Sequence, residues 1–321
     1  MGPSMTASST KPGPTPCAPR STGAHAPAPA PAASTPGAPS YHRLTRLSPV
    51  LGVRCAPPRR GGGWLPAADL TARPEAVCEL IAHDARQGLA RYGRPLRPDV
   101  AAGFGLHRFV WPVSLLFTLP WFLERRVPLL ALGDVSLRRR TDTVELTVRP
   151  TGFACLPGDP ASGSPQARTA ADEQALAAEL RCALGGFLAP VLSAFGPQVR
   201  RGPRVLWAMA TDAVVEGLWY AGGLLGERDR ARAELSALLA PGEPAHAPGR
   251  PGACGDPAPA PAPFTPGAGF APPAPGRGGA STARGAGEDA SGTDRARASC
   301  CLVYTVEPRD MCGGCPRVMR R

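Results

Sequence analysis

The sequence is poor in aromatics, in lysine and in early acidic residues. Aromatics make up 6% of its 321 positions, too few for the whole chain to pack into one globule. Lys11 is the only lysine, although Lys and Arg together number 36. No acidic residue precedes Asp69. Regular structure is also opposed by 41 Pro and 38 Gly, near the level expected of low-complexity sequence. Yet 43% of residues are hydrophobic, which excludes a fully disordered chain. The folded part is a subset.

Long apolar runs are missing too. The longest uncharged one, residues 109–123, contains Pro112 and Pro120 and falls short of the ~20 residues a membrane span needs. It reads as a buried core element. The first forty residues lack the apolar stretch of a signal peptide, and Arg59-Arg60 runs into glycines. A cytoplasmic, soluble monomer without membrane insertion is expected. The net charge of +11 is of the kind that suits nucleic acid. The arginines, however, are scattered in pairs, and the one triplet, Arg138-Arg139-Arg140, has no interleaved aromatic. GC-rich coding explains much of the arginine, so no nucleic-acid partner is expected.

Composition divides the chain into four. Residues 1–63 are rich in Pro, Ala, Ser and Gly and read as a disordered extension. Residues 64–240 carry periodic apolar patterns and read as a helical domain. Residues 241–297, rich in Pro and Gly, read as a disordered linker. Residues 298–321 regain order signals and hold four cysteines. Within 64–240, Pro74-Glu75 opens a helix with Val77, Leu80, Ile81 and Leu89 on one face. A second helix spans about Asp99 to Arg108, with Pro112 and Pro120 bending or breaking the stretch after it. Alternation in 135–137 and 144–148 predicts a β-hairpin. Thr169, with Asp172 and Glu173 nearby, starts a further helix carrying Leu176, Leu180, Leu184 and Leu188. Pro203 opens the next, and a last one runs from about Arg228 to Leu239. The fold class is therefore α+β, a predominantly α-helical domain with a small β-hairpin, followed by a cysteine-rich segment.

Ten cysteines occur. Cys17, Cys55, Cys78, Cys155, Cys182 and Cys254 are spread through the chain and read as incidental thiols or small apolar residues. Cys300, Cys301, Cys312 and Cys315 fall together, as a vicinal pair and a Cys-Gly-Gly-Cys knuckle. Clustered thiols in a cytosolic protein point away from disulfides, and adjacent cysteines bridge each other poorly. Tetrahedral sulfur sites hold zinc or iron–sulfur clusters. Structural zinc sites usually pair two spaced knuckles. The side chains of a vicinal pair diverge, which suits a larger object such as a [2Fe–2S] rhomb. Spacing favours the cluster and leaves zinc and thiol redox chemistry open.

These residues carry a resemblance. Arg297-Ala-Ser-Cys300-Cys301-Leu302-Val-Tyr304, followed by Cys312-Gly313-Gly-Cys315-Pro316, resembles the C-terminal signature of the FhuF-like ferric siderophore reductases. Leu123-Glu-Arg-Arg-Val-Pro128 and Arg201-Gly-Pro-Arg-Val-Leu-Trp207 match more loosely. The Pro/Gly-rich insert at 241–297 departs from the family, which connects these parts more directly.

The resemblance implies a [2Fe–2S] cluster on Cys300, Cys301, Cys312 and Cys315. It also implies reduction of Fe(III) in a hydroxamate-type siderophore and release of Fe(II). Arg297, Arg309, Arg317, Arg320 and Arg321 would offset the cluster's negative charge or be solvated surface. Gly103-Phe-Gly105 begins a dinucleotide fingerprint that Arg108 breaks, and no phosphate-binding loop occurs. Electrons would therefore come from a separate donor, a ferredoxin or flavin reductase. Trp207, Trp219 and Tyr220 read as core, with an aromatic pocket as the second reading, and Asp212 as solvated. His42, His83 and His107 form no ligand set with the cysteines; His25 and His246 lie in the extension and linker. The alternative is a zinc-stabilised module, without catalytic activity, that binds nucleic acid or protein.

Overall fold

The computed structural model describes residues 35–239, 269–270, 295–309 and 315. All lie within the unit Thr35–Arg321. The elements in chain order are α1 Ala38–Leu47, β1 Leu51–Cys55, β2 Trp64–Pro66, α2 Asp69–Ala72, α3 Pro74–Tyr92 and α4 Pro98–Glu124. There follow β3 Arg126–Leu129, β4 Val135–Arg139, β5 Val144–Val148, β6 Gly152–Cys155 and β7 Ala167–Thr169. Then come α5 Glu173–Val199, α6 Pro203–Leu225, α7 Arg228–Leu239, β8 Gly269–Phe270 and β9 Arg295–Ala296. The expected class holds: mostly helix, with few and short strands.

Helix α4 is the axis. It packs against α6, α5, α3, α1 and β3, and from Phe109 to Phe122 all but Trp111 are buried. A helix apolar on every side belongs in the middle of a core. Helices α4 and α5 are long and apolar enough to cross a membrane, and 78% of the most apolar stretch of α4 is buried within the fold. Pro112 and Pro120 do not break it, contrary to expectation. A proline in a helix interior costs ~3 kcal/mol, but burial of large side chains on all faces exceeds that, at roughly 1.5–3 kcal/mol each. The fold also repairs one defect. Pro120 has no N–H to donate to the Leu116 carbonyl, and the Tyr41 hydroxyl of α1 donates there instead, at 2.6 Å.

Tyr41 also corrects the sequence reading. Residues 35–63 were expected within the disordered extension, yet they fold. Tyr41, Leu44, Leu51 and Val53 join the main core, and β1 runs parallel to β5, Leu51 opposite Val144. Composition misled because a few well-placed apolar residues suffice once a partner surface exists. Gly61, Gly62 and Gly63 all take positive φ, where glycine is least strained, and turn the chain into β2. The linker expected over 241–297 lies largely outside the described residues; within it, Gly269–Phe270 pairs antiparallel with Arg295–Ala296.

The predicted hairpin is present, with Val135 opposite Val148 and Arg139 opposite Val144, inside a sheet ordered β1-β5-β4-β2. A second sheet, β3-β6-β7, was not foreseen; its strands have three or four residues. Helix α5 starts a few residues after Thr169, which ends β7: the Asp172 carboxylate accepts the Ala175 N–H at 2.7 Å, the usual N-cap bond. Its four leucines are buried. On α3, Val77 and Leu80 are buried, whereas Leu89 is 49% exposed.

Candidate iron–sulfur segment and the cleft beside it

The tail is fastened by one carboxylate. Asp212, halfway along α6, is 2% exposed, so the expectation that it is solvated fails. Its Oδ1 accepts the Ala298 N–H at 2.8 Å and its Oδ2 the Ser299 N–H at 2.8 Å. The Ser299 hydroxyl donates to Oδ2 at 2.5 Å. The Arg297 guanidinium, with its side chain 10% exposed, stands 3.8 Å from Asp212 and 3.5 Å from Glu216. Glu216 lies one turn further along α6 and also faces His107 of α4, at 3.5 Å. A buried carboxylate is stable only when its charge is met by donors. Here the donors, Ala298 and Ser299, and the nearby cation, Arg297, are the three residues immediately before the vicinal cysteines.

Cys300 and Cys301 follow, both half-buried. Leu302 then adopts a left-handed φ of 60° and leads into a 3-10 turn, Val303–Thr305. Val306 beyond it packs with Leu96, Val100 and Ala101 in a small second core at the start of α4. The segment is thus held on both sides, by Asp212 before the cysteine pair and by apolar contact after it. Cys315 is buried; Cys312 lies outside the described residues. Neither Cys300, Cys301 nor Cys315 is in a disulfide. Among the described residues, no three His, Cys, Asp or Glu side chains are gathered as a metal site, and one of the four expected ligands is not among them. The donor chemistry fits a thiolate-ligated centre: soft sulfur ligands, the three described ones outside any disulfide, two of them next to a backbone pinned by charge-assisted hydrogen bonds.

An open cleft of about 240 Å³ lies beside the segment, with Cys301 in its wall. Its other walls come from the end of α3, the first half of α4, and α6. Under it is a second buried carboxylate, Asp84 of α3, fully inaccessible. Arg139 of β4 grips it with two bonds, of 2.6 and 2.7 Å, and Arg108 of α4 with one of 2.5 Å. Arg108 also donates to the Gln87 amide oxygen at 2.6 Å. Next to them, burial and then the positive Arg139 push the His83 imidazole below its ordinary value. The arginine triplet of the hairpin is therefore divided in use. Arg139 is internal, while Arg138 stacks on Trp64 at 4.8 Å and pairs with Glu145.

Residues 297–317 match the family model of the FhuF 2Fe-2S C-terminal domain. The tail carries the FhuF-type signature. The resemblance read from Cys300, Cys301, Cys312 and Cys315 is supported over that stretch, and with it an iron–sulfur oxidoreductase type of protein. No curated protein and no solved structure matches the chain.

The aromatic pocket weighed for α6 is not found at Trp219 and Tyr220. Tyr220 hydrogen-bonds to Ser48 at 2.8 Å and packs edge-on to Trp111; Trp207 and Trp219 rest on the main core. Sequence reasoning missed the Asp212 anchor and the residues of the cleft. A signal for Asp212 was available, as the lone charged residue of 205–215, a stretch otherwise apolar but for Thr211. For the cleft none was, because its walls come from four separate parts of the chain.

Proposed function

We propose that the protein is a ferric siderophore reductase that acts in the cytoplasm on a hydroxamate-type complex. The observation that carries this reading is the FhuF-type cysteine segment anchored on Asp212 so that Cys301 enters the wall of an open cleft. Cys300, Cys301, Cys312 and Cys315 would hold a [2Fe–2S] cluster. Such a cluster would supply single electrons, with a separate ferredoxin or flavin reductase as the donor.

The chain's own residues bind and position. Asp212 fixes the backbone that leads into the cysteines, and Arg297 places a positive charge beside them. The cleft receives the chelate, whose Fe(III) accepts the electron and leaves as Fe(II). Hard oxygen ligands hold the trivalent ion more tightly than the divalent one, so reduction itself loosens the iron. No bond from the protein to the substrate is needed, and no general acid is required of the cleft.

Anaerobic protein reduced chemically and freed of reductant, mixed with a ferric trihydroxamate and an Fe(II)-trapping dye, is expected to release about one Fe(II) per reduced chain. Retention of the reduced visible spectrum beside every ferric chelate tried, with no Fe(II) formed, overturns the reductase reading.

A further inference from the structure

The four-stranded sheet has a second face, turned away from the core. Trp64, Arg138, Glu145 and Gly52 lie side by side across it, with Ser136, Thr147 and Arg54 in the next row. Alternation along β4 sends Arg138 to this face and Arg139 to the other, where it meets Asp84. Arg140, just after β4, returns to Glu145 at 4.0 Å. The loop after β1 folds back over the sheet. The Arg59 N–H donates to the Ser136 hydroxyl at 2.9 Å, and Ser136 and Thr147 share a buried hydrogen bond beneath it. Arg59 and Arg138 both lie over the Trp64 ring, at 5.5 and 4.8 Å.

Carboxylates are outnumbered here. Asp69 serves both Arg60 and Arg73, and Glu145 serves both Arg138 and Arg140. Arg54 and Arg59 are exposed and stand in no ion pair among the described residues. The next acids along the chain, Glu75 and Asp142, are exposed and pair with none of these arginines. Even with both counted, six positive charges stand against four negative. Ring stacking and the carboxylates hold several of the guanidinium groups in place, so less side-chain entropy is left to lose on binding. Trp64 is the only aromatic residue in 51–73 and 135–148. Two guanidinium groups already occupy it, which leaves no ring for a nucleobase to stack on. The exposed large apolar side chains of the described residues, Leu47 and Leu89, are not on this sheet, so it offers no anchor to a bilayer. What the face does offer is planar guanidinium forks, which match carboxylates.

We infer that this face docks a partner protein through carboxylates on the partner's surface, with Arg54, Arg59, Arg60, Arg138 and Arg140 as the contacts. The inference stands apart from the reductase reading, because the face lies on the opposite side of the sheet from the Arg139–Asp84 contact beneath the cleft. Exposed charge pairs contribute little singly, so the affinity comes from several acting together and falls with salt.

Fluorescence anisotropy of a labelled polyglutamate peptide, titrated with the full-length protein purified anaerobically, tests this. At low salt the peptide is expected to bind, and the binding to weaken as salt is raised. Arg59→Gln combined with Arg140→Gln should weaken it roughly tenfold, the size of two exposed ion pairs. Arg201→Gln combined with Arg204→Gln removes the same charge from exposed arginines elsewhere and should change it by no more than about twofold. Arg59→Lys combined with Arg140→Lys keeps the charge and should keep most of the binding. Circular dichroism and iron content should match the parent in all three. A double-stranded DNA oligonucleotide and phosphatidylserine vesicles serve as competing polyanions; each should bind less tightly than the peptide. No binding of the peptide, equal loss in the two Gln pairs, or a loss in the Lys pair as large as in its Gln counterpart overturns the inference. So does tighter binding of DNA or vesicles through Arg59 and Arg140, which would assign the face to a different polyanion.

Discussion

At the scale of single residues, Asp212 bears the heaviest demand. Its carboxylate is buried and accepts bonds from two backbone N–H groups and one hydroxyl. An asparagine has the same shape but one acceptor oxygen and no charge. Asp212→Asn leaves at least one buried donor of the tail unmet, at roughly 1–3 kcal/mol. The cost falls on the segment next to Cys300 rather than on the whole core. The variant is expected to fold, with a circular dichroism spectrum like the parent, and to lose half or more of its iron during purification. Iron per chain, measured against parent protein purified in parallel, checks this; a full complement would show that the anchor is not needed to keep the cysteines in place. The FhuF-type signature at residues 297–317 could be read from the sequence because residue spacing is local information. The burial of Asp212 could not, since it depends on a contact with residues 86 positions away or more.

At the scale of elements, α1 and α4 illustrate how a local rule is overridden. Prolines in α4 signalled a break, and the composition of residues 35–63 signalled disorder; the two errors cancel in one contact. Tyr41 of α1 satisfies the carbonyl that Pro120 leaves without its helical donor, and Gly37, at the start of α1, lies against the Pro120 ring. Neither element explains itself, and each explains the other. Tyr41→Phe should cost about 1–3 kcal/mol, or a few degrees in melting temperature for a domain of this size. In a Pro120→Ala background the restored N–H of residue 120 bonds to Leu116 itself, so the same Tyr41→Phe change should cost much less. The coupling from that double-mutant cycle, read by denaturant unfolding, decides the point: equal costs in the two backgrounds would show that Tyr41 acts by packing alone. The hairpin β4–β5 and the starts of α6 and α7 were legible because strand alternation, a helix-opening proline and charged first turns are local signals. The sheet β3-β6-β7 was not, since strands of three or four residues leave no periodicity to detect.

At the scale of the whole molecule, two buried carboxylates organise the side of the fold that carries the cysteine segment. Asp84 ties α3, α4 and β4 together beneath the cleft, and Asp212 ties α6 to the tail at its wall. The helical core thereby sets where a short C-terminal segment rests, and the FhuF-type signature of residues 297–317 supplies its chemistry. The proposed chemistry depends on what the four cysteines hold. Metal and acid-labile sulfide analysis of anaerobically purified full-length protein, with electron paramagnetic resonance after dithionite reduction, measures it directly. The prediction is about two irons and two sulfides per chain with a one-electron [2Fe–2S] signal, lost in Cys300→Ser. One equivalent of zinc with no paramagnetic signal would contradict it.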